Sequence, residues 1–120
     1  MGTLSVQNEE ISDGLVYFEL KGMLDAHNFE QQLESLFERH FSNGVYRFVV
    51  DIKALDYVSS AGAGVFIGAI GTCQDNDGNV VLVQPSQEVK EIFEMLGVFQ
   101  IFPVVQDRES AMKVFDRSLT

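Results

Sequence analysis

The stretch Asp51-Ile-Lys-Ala-Leu-Asp-Tyr-Val-Ser-Ser-Ala-Gly-Ala-Gly-Val-Phe66 puts two adjacent serines and a set of small residues between two apolar runs. Upstream, "YRFVVDI" (46–52) is rich in β-branched residues and reads as a short strand buried on both faces. Downstream, Ala61 to Gln74 is apolar nearly all round and closes on Asp75-Asn-Asp-Gly78. That is a buried helix ending in a turn. The decisive unit is therefore a strand that enters a helix through Ser59-Ser60.

The same alternation continues on either side. "LSVQNEEI" and "LVYFELKG" flank Ser12-Asp13-Gly14, which predicts an N-terminal hairpin. Phe29, Leu33, Leu36, Phe37 and Phe41 recur at intervals of three and four and predict a helix over 28–41. "NVVLVQ" (79–84) is a second buried strand. Ser86 follows Pro85 as an N-cap, and Val89, Ile92, Phe93 and Leu96 form a helical stripe closed by Gly97. "QIFPVV" (100–105) reads as an edge strand, because Pro103 has no N–H for a ladder. Asp107 then caps a last helix with Ala111, Val114 and Phe115 inward. The order predicts one α/β domain over 1–120, with a central mixed sheet and helices packed mainly on one side.

Composition removes several functions. A chain of 120 residues, 46% hydrophobic and 22% charged, is an ordinary globular domain. Eight Lys and Arg against 18 Asp and Glu give a net charge of −10. This argues against a phosphate-backbone footprint on nucleic acid and disfavours an anionic membrane surface. No apolar run is long enough to span a bilayer, and "MGTLSVQNEE" lacks the basic segment and apolar core of an export signal. The single Cys73 lies in an apolar run and reads as a buried filler, consistent with a reducing, cytoplasmic setting.

The Ser-Ser stretch is open to four chemistries. A phosphate-binding loop fails, because no lysine stands between Lys53 and Lys90, and the spacing of Gly62, Gly64 and Gly68 misses the dinucleotide pattern. A nucleophile elbow fails, because Val58 stands where its first glycine belongs. A small hydrolase using Ser60 and His27 survives only as an outside alternative, and no catalytic residue is assigned. His27, His40 and Cys73 match no metal-ligand spacing, and Asp75, Asp77 and Gly78 read as a turn, so neither metal nor cofactor is expected. A helix start remains: Ser59 or Ser60 caps the helix, and its N-terminus tolerates an anion. Spacing alone leaves a regulated serine and a plain cap both open.

The residues "VVDIKALDYVSSAGAGVFIGA" (49–69) resemble the signature of the STAS domain, found in bacterial anti-sigma factor antagonists and in the tails of sulphate transporters. "KGMLD" (21–25) is similar to that family's Gly-x-Leu/Ile-Asp, and "VKEIFEMLGVFQIFPVVQDRESAM" (89–112) to its final helix–strand–helix. The resemblance implies a non-enzymatic, free-standing partner-switching protein. Its unphosphorylated form would bind an anti-sigma factor serine kinase and release a sigma factor, and phosphorylation would end the complex. Aligned on Gly62-Ala63-Gly64-Val65, the family's acceptor falls on Ser60, with Ser59 as competitor. Asp25, Ser59, Ser60, Ala61 and Gly62 would form the partner surface of a monomer or weak dimer. Ser59 stands where the family has Asp, and Ala61 where it has Ser or Thr. A non-phosphorylated docking module in a signalling or lipid-transport assembly is the alternative.

Overall fold

The computed structural model of the chain describes residues 4–12, 14–24, 28–97 and 99–118. Five strands form one mixed sheet in the order β1-β2-β3-β4-β5. Strands β1 (Leu4–Ser12) and β2 (Leu15–Leu24) make the expected antiparallel hairpin, turned at Gly14 with φ 76. β3 (Arg47–Val58), β4 (Asn79–Val83) and β5 (Val104–Val105) add in parallel. The helices are α1 (Asn28–Ser42), α2 (Ser60–Asp75), α3 (Gln87–Met95) and α4 (Arg108–Ser118).

The period-two alternation of the strands divides the core. Val16, Phe18 and Leu20 of β2, Phe48, Val50 and Ile52 of β3 and Val80 and Leu82 of β4 face α1, α2 and α3. Phenylalanine rings fill that layer, with Phe37 edge-on to Phe48 at 5.0 Å and to Phe18 at 5.2 Å between centroids. The other set, Leu15, Tyr17, Val49, Val81 and Val83, meets Ala111 and Phe115 of α4. Three helices on one face and one on the other match the expected asymmetry. Cys73 is fully buried, and burial pushes its thiol up to about 12.

Two elements depart from the sequence reading. The strand expected over 46–52 runs on to Val58. β4 ends opposite Asp51, where Gln84 adopts φ 50 and Pro85 turns the chain away, so residues 52–58 of β3 are paired with β2 alone. The register slips twice along that overhang, between Glu19 and Lys21 and between Gly22 and Met23. These irregularities break the simple alternation that the sequence would otherwise show. The edge strand expected over 100–105 shrinks to Val104–Val105, preceded by a 3-10 turn at Phe99–Ile101. The carbonyl of Pro103 still accepts the Leu82 N–H at 2.9 Å.

On the α4 face, Asp51 is the one buried carboxylate among the described residues. It accepts the Tyr17 hydroxyl at 2.8 Å and the Lys53 backbone N–H at 3.1 Å, with the Lys53 Nζ 3.7 Å away. The Arg108 guanidinium lies 4.3 Å from the Tyr17 ring centroid and ties the start of α4 to the same cluster. Burial first, then the hydrogen bond to Asp51 and its charge, raise the Tyr17 phenol well above its ordinary 10.0. A pKa raised on folding contributes stability that is present below the unfolded value and lost above it. Tyr17 and Cys73 act in the same direction. The urea midpoint is therefore expected to fall as pH rises from about 9 to about 11. Tyr17→Phe should lower the midpoint at neutral pH, because it strips a donor from Asp51, yet flatten the alkaline fall. An unchanged alkaline slope in this variant would remove Tyr17 from the account.

Candidate functional site

The overhang of β3 carries the Ser-Ser stretch past the end of β4. Leu55 and Val58 are buried there, whereas Asp56 and Tyr57 face solvent, Tyr57 with 41% of its surface exposed. Sequence reasoning did not single out Tyr57. Its signal was an aromatic residue in the strand that leads to a helix start.

At the junction the two serines separate in role. Ser59, at φ −76 and ψ 166, is the N-cap, and its Oγ accepts the Gly62 N–H at 2.9 Å. Its carbonyl accepts the Ala63 N–H at 2.8 Å. Ser60 is the first helical residue, one position before the expected start, and is exposed. The capping role left open between the serines thus falls to Ser59, which is half-buried with its hydroxyl engaged. The Ser60 hydroxyl sits at the open, partially positive end of a long helix.

Ser59 is also anchored below. Its backbone N–H donates to the Leu24 carbonyl at 2.8 Å, which joins the end of β2 to the start of α2. Gly62 lies against the same residue: a Cβ there would come within 2.8 Å of Leu24 Cγ and 3.1 Å of its carbonyl oxygen. Gly62 is buried and positions the helix start rather than presenting surface. The same holds for Ala63, so the small residues left open on this turn are Ala61 and Gly64. Asp25 and His27, the other residues expected near the site, lie outside the described residues.

His40 does not reach this end of the molecule. Its ring packs 5.7 Å from Phe18 and 5.8 Å from Phe48, near the opposite end of β3. Asp75 closes α2, and Asp77 lies in the turn that follows, at φ 63. Among the described residues no group of three or more His, Cys, Asp or Glu could hold a metal ion, and no helix is long and apolar enough to cross a membrane.

A family model described as the STAS domain matches residues 7–111. BtrV of Bordetella bronchiseptica, named in the anti-sigma factor antagonist class, is 36% identical over 107 residues, 89% of this chain and 91% of its own length. An anti-sigma F factor antagonist of Paenibacillus polymyxa is 23% identical over 99 residues, 82% of this chain and 85% of its own. The structure of the anti-sigma factor antagonist SpoIIAA in its unphosphorylated form matches with a TM-score of 0.82 at 21% identity, covering 93% of this chain and 97% of that one. The phosphorylated form of the Bacillus protein matches at 0.75 with 20% identity, covering 92% and 99%. At such identities the structural matches speak for the fold.

The two serines should separate in a stability measurement. Ser59→Ala is expected to lose about 1 kcal/mol with the cap, and Ser60→Ala to stay within about 0.5 kcal/mol of the parent. Gly62→Ala should cost about 1–3 kcal/mol through overpacking against Leu24. Urea denaturation of the three variants tests this. Equal losses for both serines would refute the division of roles.

Proposed function

The chain belongs to the STAS domain family, and on that premise we propose that it is an anti-sigma factor antagonist that works by partner switching. Unphosphorylated, it binds a kinase-type anti-sigma factor and releases the sigma factor. Phosphorylation of Ser60 ends that complex. The domain then occupies residues 1–120 of a cytoplasmic, non-enzymatic regulator, acting as a monomer or weak dimer.

The observation that carries this reading is the unequal use of the two serines. Ser60 is exposed and has no side-chain hydrogen bond among the described residues, whereas Ser59 is held in the cap. A kinase therefore gains the Ser60 hydroxyl without dismantling α2. The added phosphate brings about −1.5 to −2 charges, which the helix N-terminus tolerates. The fold survives modification, and the change falls on the surface that a partner touches. Exposed Asp56 on the overhang adds to a negative surface, on a chain already at −10. In a desolvated contact such like-charge crowding opposes binding in a way that a neutral serine does not. Ser59, Ala61 and Asp25 complete the partner surface in this reading, and Gly62 holds it in place.

The test is intact-mass measurement with peptide mapping after incubation with the anti-sigma factor and ATP. One phosphate on Ser60 is expected, with none on Ser60→Ala, which should keep its affinity. Ser60→Asp should bind at least about tenfold more weakly. A phosphate on Ser59 would move the switch by one residue. A chain left unmodified, with Ser60→Asp binding as the parent does, would reduce the protein to a docking module.

A further inference from the structure

Helices α1 and α2 leave a groove between them of about 260 Å³, which begins at Gly64, one turn past Ser60. Its walls are unlike. On α1, Glu34 and Glu38 stand one turn apart on the rim, and both are exposed. On α2, Gly64 and Gly68 stand one turn apart, also exposed. Phe37 and Phe41 contribute an apolar floor.

Both walls break local rules without compensation among the described residues. Two carboxylates at i and i+4 repel, and among the described residues no Lys, Arg or His forms an ion pair with either. Glycine is the poorest helix former after proline. A Cβ at Gly64 or Gly68 would meet nothing within 4 Å, unlike Gly62, whose place is required by Leu24. Among the described residues nothing asks for glycine at these two positions; Gly71 of the same helix is equally open, and what sets Gly64 and Gly68 apart is that they line the groove. Such uncompensated departures are expected where a surface serves another molecule.

The shape selects a helix. Glu34 to Phe41 spans about two turns, or roughly 10 Å, and bare glycine backbone permits close interaxial approach. The walls are helices whose backbone groups are already bonded, so they have no ladder to offer an extended strand. The charge selects a basic occupant: Glu34 and Glu38 line the groove, no cation does among the described residues, and the chain carries −10 overall. A second copy of the chain would meet it with the same net charge. We propose that the α1/α2 groove docks a helix of the anti-sigma factor that presents two Lys or Arg residues one turn apart to Glu34 and Glu38, with small or aliphatic residues against Gly64 and Gly68. This rests on the partner class proposed above and extends the contact along α2, from Ser60 to Gly64 one turn on and Gly68 a turn beyond.

Titration calorimetry of the purified anti-sigma factor, at low and high salt, tests it. Glu34→Gln/Glu38→Gln should weaken binding about tenfold at low salt and flatten its salt dependence. Gly68→Gln fills the groove where the built Cβ meets open space, so binding should fall at least about tenfold while the melting temperature holds or rises. Parent-like affinity of both variants, with Ser60→Asp impaired, would overturn the groove and leave the partner-switching reading standing. A parent chain that neither binds the factor nor is phosphorylated by it would overturn both. A parent dimer that Gly68→Gln dissolves would assign the groove to a second copy and overturn the basic helix.

Discussion

The site depends on one joint: the Ser59 N–H bonded to the Leu24 carbonyl, with Gly62 pressed against the same leucine. β2 and β3 run side by side far beyond the end of β4, and an overhanging strand pair needs something to close it. The joint does this by stitching the last residue of β2 to the cap of α2. Leu24 and Val58 are buried together beneath it. A larger residue at 62 would lift the helix from the strand end, and with it the orientation of Ser60.

That arrangement explains how two adjacent serines can differ so sharply. A cap needs a β-region backbone and a hydroxyl turned back toward the helix, and one residue supplies both. The next residue is the first of the helix and is exposed. Because the helix start favours anions, a phosphate there is compatible with the fold. A modification that kept the fold and changed only the contact surface would suit a reversible exchange of partners better than one that melted a helix.

Much of the fold was legible because turns, caps and the spacing of apolar residues are local signals. Two runs flanking Ser12-Asp13-Gly14 identified β1 and β2, the phenylalanine and leucine spacing identified α1, and Ser86 after Pro85 marked the start of α3, where its Oγ accepts the Val89 N–H. The far half of β3 was not legible. Lys53, Asp56 and Tyr57 are exposed there, and the register slips interrupt any pattern of period two. Pro103 and its neighbours illustrate the opposite error: an apolar run looked like a strand, but only Val104 and Val105 find a ladder. Phe102 is buried instead by stacking on Phe93.

By itself the sequence determined the class of fold, the order of its elements and the neighbourhood of Ser59-Ser60, since these follow from local periodicity, capping chemistry and a recognisable run of residues. It could not decide which serine caps the helix, because both have the same hydroxyl and adjacent positions. That choice was made by Leu24, distant in the chain, whose carbonyl holds Ser59 in the extended backbone a cap requires. Nor could it separate Gly62 from Gly64 and Gly68. The three differ only in what lies opposite them, and that is set when β2, α1 and α2 come together in space.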